Sequence, residues 1–245
     1  ELAFPPGYRY VNACMNVKPQ LVMYNTLSKR QELFVPREGN TVRLFTCGPS
    51  VYREQHLGNY RTYLFEDILH KYLEYLGYTV ERGINYTDLE DKSIQRADDE
   101  GRSVYEVTGE IIRNFLKTAG ELNIYLPEYI PRSTDSVGEA VEIIRELMEK
   151  GYAYRHGGNI YFDPLKYPRF GEVFGLDMSR WPKKKYRYSR DTYNGLRWNL
   201  GDFILWHGGD SKGPVWESEL GKGRPAWNIQ DPAMIKKTLG TEIDI

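Results

Sequence analysis

The sequence predicts an α/β protein with a parallel sheet, because three consecutive segments have the patterns of a strand, a helix and a second strand. Residues 41–48 are β-branched and apolar and end in glycine and Pro49, as a buried strand does. The next segment, residues 59–77, carries apolar side chains at helical spacing up to Gly77, at Leu64, Ile68, Tyr72, Leu73 and Leu76. Residues 78–87 predict the second strand, and such a unit predicts parallel pairing with a right-handed crossover.

The following segments extend this pattern. Residues 89–124 predict helices, with apolar positions at Val107, Ile111, Phe115 and Leu122. The next helix, capped by Thr134 or Asp135, is expected to run to Gly151, with an apolar side at Val141, Ile144, Leu147 and Met148. Residues 152–163 alternate around a Gly-Gly turn and predict a hairpin. Residues 164–193 predict loops, residues 232–240 a short helix, and residues 241–245 the start of another strand.

Composition excludes several classes of protein. The 33 basic and 34 acidic residues give a net charge of -1, so bulk charge does not indicate nucleic-acid binding and any such surface must be local. The two cysteines, Cys14 and Cys47, do not form a disulfide-rich secreted scaffold. No apolar run is long enough to span a bilayer, and residues 1–20 lack the pattern of a secretion signal. We therefore expect a cytoplasmic protein with no membrane partner.

The segment CGPSVYREQHLGN, residues 47–59, joins the first strand to the first helix. Parallel α/β sheets bind ligands at this edge, where free N–H groups and the helix dipole favour an anion. Gly58 allows a ligand close to the backbone, and His56 and Asn59 can donate hydrogen bonds to phosphate oxygens. A lone His-Leu-Gly-Asn tetrapeptide is a weak signal, since a histidine at a helix start is usually a cap or a solvated side chain.

The surrounding segments raise the specificity of that signal, because several motifs occur in one order. Residues 24–36, 44–80 and 84–101, then residues 157–173 and 200–234, resemble successive parts of cysteinyl-tRNA synthetases, and the similarity extends from about residue 21 to residue 245. The resemblance implies a Rossmann-type class I catalytic domain interrupted by an inserted α+β segment. It also implies the family's reaction: ATP, with magnesium, activates an amino acid as its adenylate, which is transferred to the acceptor end of tRNA.

The resemblance also assigns domains and site residues. It implies a first half of the catalytic domain at residues 21–100, an inserted domain for the acceptor end at 101–213, and a return to the core at 214–245, with residues 1–20 unassigned. The ATP-binding residues would be Pro49, Ser50, His56, Gly58 and Asn59, of which His56 and Asn59 are the catalytic pair. The amino-acid pocket would contain Cys47, Thr87, Trp227 and Asp231. For Thr87 and Trp227 an ordinary structural role is also common.

The chain departs from the family at the zinc site that recognises the thiolate of cysteine in those enzymes. Cys47 matches the first protein ligand, but Asp231 stands where the second thiolate is expected, and Asn228 and Gln230 differ as well. Cys47 alone is more often a buried small side chain than a ligand. One cysteine and one aspartate do not make a zinc site in this chain, and the family's remaining histidine and glutamate ligands would lie beyond residue 245. We therefore hypothesise a diverged paralogue in which the amino-acid pocket has changed.

The family continues beyond the segment that resembles residues 241–245, into a Lys-Met-Ser-Lys-Ser loop and a tRNA-binding helical domain. Because residues 1–245 contain neither, this chain by itself is expected to adenylate inefficiently. The main alternatives are a cysteine ligase that uses the same adenylate chemistry with a small amino-sugar acceptor, and a synthetase-like binding or regulatory protein without activity. Tight ATP binding without turnover would favour the latter.

The chain has one marked basic cluster, at residues 180–187, where arginines and lysines alternate with Trp181 and Tyr186. Such a mixture can contact phosphates and stack on unpaired bases. A solvated loop is the simpler interpretation.

Overall fold

The computed structural model describes residues 20–180, 201–209 and 213–245. The chain divides into two units, Glu1–Val35 and Pro36–Ile245. In the first unit, β1 (Val22–Asn25) and β2 (Arg30–Leu33) form an antiparallel hairpin. No helix in the described ranges is long and apolar enough to cross a membrane.

The larger unit contains six strands and five helices within the described residues. The strands are β3 (Thr41–Thr46), β4 (Thr79–Ile84), β5 (Ala153–His156), β6 (Asn159–Phe162), β7 (Phe203–Gly208) and β8 (Gly223–Pro225). The helices are α1 (Leu57–Tyr75), α2 (Asp91–Glu100), α3 (Val104–Glu121), α4 (Val137–Glu149) and α5 (Trp227–Thr238).

The predicted parallel sheet is confirmed. β3 and β4 pair in parallel from Thr41↔Thr79 to Thr46↔Ile84. Beyond β4, the chain at residues 129–133 adds a parallel neighbour, since Ile84 N–H donates to the Tyr129 carbonyl at 3.0 Å. Beyond β3, Phe45 N–H donates to the carbonyl of Ile245 and Asp244 N–H donates to the carbonyl of Arg43, both at 2.9 Å, so residues 244–245 lie beside β3, but the strand predicted at residues 241–245 is not formed.

The order across this sheet is therefore residues 129–133, β4, β3 and residues 244–245. The chain first moves outward from β3 through β4, and later returns to the opposite side of β3. This reversal makes the end of β3 a topological switch point, which is where open α/β sheets bind ligands. The loop that follows β3 begins at this point.

Helix α1 forms where it was expected, and Leu73 of its predicted apolar side is buried, but other residues of that side face outward. Ile68 and Tyr72, which were predicted on its apolar side, are 63% and 42% exposed. The buried positions are Tyr60, Tyr63, Glu66, Asp67, His70 and Leu73. The apolar spacing is misleading here because this helix buries polar groups that have partners: Asp67 accepts from Tyr125 N–H and Lys71, and Glu66 pairs with Arg82.

The second sheet is antiparallel, in the order β5-β6-β7-β8. It contains the predicted hairpin, whose turn residues Gly157 and Gly158 both have positive φ. α4 and α5 pack on this sheet around Ile144, Ile160 and Trp206, which are 0% exposed. α4 is preceded by Ser136, not capped by Thr134 or Asp135, because those two residues form a 3-10 turn at Ser133–Asp135.

The antiparallel sheet extends over residues 153–225, whereas α2 and α3 lie in the connection between β4 and its parallel neighbour at 129–133. The domain boundaries at residues 101 and 213 stay predictions. Of the basic cluster, only Arg180 falls within the described residues, and residues 181–187 lie outside them.

Candidate functional site

The loop after β3 is fixed at its start by an asparagine from the end of β4. Gly48 N–H donates a 2.7 Å hydrogen bond to Asn85 Oδ1. A Cβ at position 48 would lie 1.9 Å from the backbone oxygen of Asn85, so this close approach of two chains requires glycine. Further along, Thr87 N–H donates to the Pro49 carbonyl and Val51 N–H donates to the Thr87 carbonyl, at 3.3 and 3.2 Å. These bonds place Pro49 and Ser50 beside Thr87.

Two side chains support the middle of the loop. Gln55 Nε2 donates to the carbonyls of Ser50 and Arg53, at 3.2 and 3.0 Å, while its Oε1 accepts from Tyr63 of α1. From α2, Arg96 Nη1 donates to the Tyr52 carbonyl at 2.8 Å. The loop conformation is therefore held by side chains outside the His-Leu-Gly-Asn tetrapeptide.

The loop ends at His56, the residue before α1. Asn59 Oδ1 accepts from His56 N–H at 3.2 Å, which begins the 19-residue helix at this point. A Cβ at Gly58 would lie 3.0 Å from ring carbon Cε1 of His56, so glycine lets the imidazole lie over the first turn. His56 and Gly58 are exposed, and the first-turn N–H groups carry the positive end of the helix dipole. This terminus can bind an anion with imidazole and amide donors beside it.

A second polar group lies at the end of β4. Asn85 Nδ2 donates to Asp231 Oδ1 at 2.9 Å and to Thr87 Oγ1 at 3.1 Å. Asn85 and Thr87 are buried, with 3% and 5% of their surface exposed. Asp231 comes from α5, so this cluster joins the parallel sheet to a helix that packs on the antiparallel sheet.

Cys47 lies at the same edge, and it is exposed instead of being a buried small side chain. Neighbouring protein atoms still desolvate its sulfur, and this desolvation, with the negative charges of Asp231 and Glu66, raises the pKa of the Cys47 thiol. Burial likewise raises the pKa of the Asp231 carboxyl. Both groups are therefore harder to ionise than in water.

Cys47 and Asp231 by themselves are too few donors for a zinc ion of the structural or substrate-binding kind. Zinc takes deprotonated thiolates, neutral imidazoles or carboxylates, usually four in number. The described residues supply one thiol, that of Cys47, and one carboxylate, that of Asp231, whose Oδ1 already accepts a hydrogen bond from Asn85. Within the described ranges no three His, Cys, Asp or Glu side chains are grouped to hold a metal ion.

A buried ion pair lies beneath the site, between α1 and the sheet. Arg82 Nη2 is 3.3 Å from Glu66 Oε2, and Arg82 is 1% exposed. Burial raises the pKa of Glu66 and lowers the pKa of Arg82, because both charges lose water. Glu66 is one of the charges that act on Cys47.

The structure thus brings most of the predicted residues to one edge of the parallel sheet. Pro49, Ser50 and Thr87 are joined by backbone contacts, and Asp231 is linked through Asn85. Trp227 is 51% exposed and begins α5, one helical turn before Asp231, so the two share a face of the helix.

Sequence reasoning missed Asn85, Gln55 and Arg96 as organisers of the site. Asn85 had one available signal: it is a polar residue at the carboxyl end of a predicted buried strand, where ligand-site residues cluster. Gln55 and Arg96 act on backbone carbonyls of a loop. Such contacts leave no pattern of spacing in the sequence.

The chain is similar to known tRNA synthetases over most of its length. Residues 33–245 match the family model described as "tRNA synthetases class I (C) catalytic domain". Curated relatives named "Cysteine--tRNA ligase" include one from Methanococcus maripaludis, 36% identical over 92% of this chain and 46% of the relative. Those from Pyrococcus furiosus and Clostridioides difficile are each 38% identical, over 92% and 91% of this chain and 46% and 47% of the relatives. The chain thus spans less than half the length of these relatives.

A solved structure, that of "Mycobacterium tuberculosis methionyl-tRNA synthetase in complex with methionyl-adenylate", matches 47% of this chain and 23% of its own. Its identity is 19% and its TM-score 0.44, too low to add to the argument. The family model covers the whole of the larger unit, and the relatives exceed one third identity over nine tenths of the chain. The chain belongs to the class I (C) tRNA synthetase catalytic-domain family.

Proposed function

We propose that this protein activates an amino acid with ATP and transfers it to tRNA. The observation that carries the proposal is the loop at residues 47–59, which runs from the switch point of a parallel sheet to the exposed start of α1. Membership of the class I synthetase family supports the same reaction. The relatives' names make cysteine the first amino acid to test.

In the first step, a carboxylate oxygen of the amino acid attacks the α-phosphorus of ATP. The bond from that phosphorus to the bridging oxygen breaks, and pyrophosphate leaves as the aminoacyl-adenylate forms. Negative charge grows on the phosphate oxygens during this step, so donors that are already in place lower the barrier. In the second step, a ribose hydroxyl of tRNA attacks the carbonyl carbon and AMP leaves.

His56 and Asn59 are proposed as the donors that contact the phosphates. They stand at the positive end of α1, and the His56 ring lies over a first turn that Gly58 leaves open. Pro49 and Ser50 are proposed to line the nucleotide, and magnesium would neutralise pyrophosphate. Thr87, Trp227, Asp231 and Cys47 are proposed to surround the amino acid.

The test is amino-acid-dependent exchange of pyrophosphate into ATP, measured with the full-length gene product and all common amino acids. Replacing one transition-state donor is expected to slow such a reaction by about 100-fold. We therefore expect His56→Ala to reduce the exchange rate strongly while lowering the unfolding temperature only slightly, because His56 is exposed but is the N-cap of α1. His156→Ala is the matched control, an exposed histidine on β5, and should exchange like the parent protein.

Exchange with one amino acid, lost in His56→Ala, establishes activation at this site. If the protein binds ATP but no amino acid supports exchange, the hypothesis of an enzyme is rejected and a synthetase-derived binding protein is the remaining interpretation. Exchange followed by failure to charge tRNA would reject the tRNA step and indicate a small-molecule acceptor. Charging of tRNA is measured separately with labelled amino acid.

A further inference from the structure

The orientation of the Asn85 amide determines what Asp231 presents to a ligand. A backbone N–H can only donate, so the Asn85 oxygen must face Gly48, at 2.7 Å. The amide nitrogen then faces Thr87 and Asp231, and it can only donate as well. Asp231 must therefore offer an acceptor, and its Oδ1 does so at 2.9 Å.

This arrangement leaves the second carboxylate oxygen of Asp231 with acceptor capacity. Among the side chains and backbone groups that the structure describes, no donor is within hydrogen-bonding distance of Asp231 Oδ2. The same oxygen is not sealed in the protein interior, since it is absent from the fully buried unpaired atoms. Because Asp231 Oδ2 has no protein donor and is reachable by solvent, a ligand that supplies an N–H or O–H there can replace its water, whereas an apolar group displaces that water without replacing the hydrogen bond.

Other parts of the cluster fit a side-chain subsite. Cys47, which is exposed, is close enough to Asp231 to feel its charge, and Trp227 provides an exposed ring one helical turn away. Asp231 is also held rigidly, because Asn85 is itself fixed to the backbone of the loop after β3. Rigid placement of an acceptor is what gives a polar subsite its selectivity.

We propose that Asp231, oriented by Asn85, selects an amino acid whose side chain carries a hydroxyl or ammonium donor, without a metal ion. The inference rests on the proposed function, since it assigns the side-chain subsite of the amino acid that is activated. Donor side chains satisfy Asp231 Oδ2, whereas a methyl group leaves it desolvated and unpaired. A thiol is a weak donor, so a thiol side chain should bind with an affinity between those of the donor and methyl side chains.

The test uses four non-hydrolysable aminoacyl-adenylate analogues of nearly equal size, with sulfamate in place of phosphate. Their side chains are those of alanine, cysteine, serine and 2,3-diaminopropionate; the last three differ only in the terminal group, and alanine lacks that group. Dissociation constants for the full-length gene product are measured by calorimetry in chelator and again with zinc. Hydrogen bonds to charged groups predict that the seryl or diaminopropionyl analogue binds about 10- to 100-fold more tightly than the alanyl analogue.

Asp231→Asn supplies the decisive variant because it reverses polarity without changing shape. The new side-chain oxygen can still accept from Asn85, while an NH₂ group replaces Oδ2 and can only donate. We expect the preference for donor analogues to disappear and the alanyl affinity to stay within about threefold. Asp99→Asn, the same exchange on the exposed surface of α2, is the control and should keep the preference.

Equal affinity for all four analogues would overturn the proposal while leaving adenylate binding intact. So would a cysteinyl preference that depends on zinc. If Asp231→Asn weakens the binding of all four analogues equally, Asp231 contacts a group that the analogues share, such as the α-ammonium group. The proposal is then wrong as well. Failure of every analogue and of ATP to bind would reject the proposed function itself, and the inference with it.

Discussion

The backbone of Gly48 passes against the backbone carbonyl of Asn85 at a distance that no side chain could occupy. A Cβ on Gly48 would be 1.9 Å from that oxygen and 2.8 Å from the side chain of Ile84. The two residues come from the ends of neighbouring parallel strands, and the Asn85 side chain closes the contact by accepting from Gly48 N–H at 2.7 Å. The path of the loop after β3 therefore depends on the absence of a side chain at residue 48.

Replacing Gly48 with alanine should destabilise the protein, because the two backbones must separate to admit the methyl group. We expect a loss of about 1–3 kcal/mol in the free energy of unfolding in urea, together with weaker ATP binding. Gly109→Ala is the control, since a Cβ in the middle of α3 would meet only Arg113 Nη1 at 3.6 Å. That variant should gain about 0.5–1 kcal/mol. Equal effects of the two alanines would contradict the close approach at Gly48.

Removing Arg96 should weaken ATP binding without unfolding the protein. Its guanidinium supports the Tyr52 carbonyl at 2.8 Å, so the loop loses one fixed point in Arg96→Ala. A hydrogen bond of this kind contributes about 1 kcal/mol, which corresponds to about fivefold in the dissociation constant measured by calorimetry. Arg102→Ala removes another arginine that pairs with Glu100, but one that makes no contact with the loop. If both variants bind ATP more weakly, the loss comes from the shared partner Glu100 and not from the contact between Arg96 and the loop.

The unfolding free energy should fall in acid partly because of His207. Burial, followed by the positive charge of Arg224, lowers the pKa of His207 to about 4. In the unfolded chain His207 gains a proton near pH 6.5, whereas in the folded protein it does not. The contribution of His207 to the unfolding free energy is therefore fully present above pH 6.5 and declines as the pH falls toward 4. The contribution is about 3 kcal/mol.

Urea unfolding of His207→Gln between pH 7 and pH 4 measures this contribution. The difference in stability between the parent and the variant should shrink or reverse as the pH falls, since only the parent carries the titrating group. His156→Gln, at an exposed site, should follow the parent across the range. A difference that stays constant with pH would mean that His207 is not protected from protonation.

Substitutions on the exposed face of α1 should change stability little, whereas substitutions on its buried face should reduce stability strongly. Ile68 is 63% exposed, so Ile68→Ser is expected to change the unfolding free energy by no more than about 0.5 kcal/mol. Leu73 is 0% exposed, and Leu73→Ala should cost about 2–5 kcal/mol through lost packing and the cavity left behind. Thermal and urea unfolding of both variants check the assignment. A large loss for Ile68→Ser would place that side chain in a core.

The parallel pair β3-β4 and the β5-β6 hairpin could be predicted from the sequence because their strands and turn have strong local signals, whereas β7 and β8 were not predicted. Thr41–Thr46 is β-branched and apolar, and Gly157 with Gly158 adopts the positive φ values that a tight hairpin requires. The inward face of α1 could be predicted only in part, at Leu73. Its buried positions include Glu66 and Asp67, whose partners Arg82 and Tyr125 come from distant segments, and periodicity contains no information about such partners.

The candidate site was predictable where it depends on local chemistry and not where it depends on tertiary contacts. His56, Gly58 and Asn59 are adjacent in sequence, so the anion site at the start of a helix could be inferred directly. The link from Asp231 to Asn85 joins residues 146 positions apart, and it exists only because α5 returns to the parallel sheet. Only the folded chain reveals which oxygen of Asp231 is engaged.

Helix α5 has one further consequence for how the molecule responds to a ligand. It buries Ile229 and Ala233 against the antiparallel sheet, and between them it carries Asp231 to the end of β4. Local unfolding that frees Asp231 must therefore also open the apolar contacts of α5. A ligand that binds Asp231 should slow amide hydrogen exchange in β6 and β7 as well as in the loop, so that strands remote from the bound molecule report its presence.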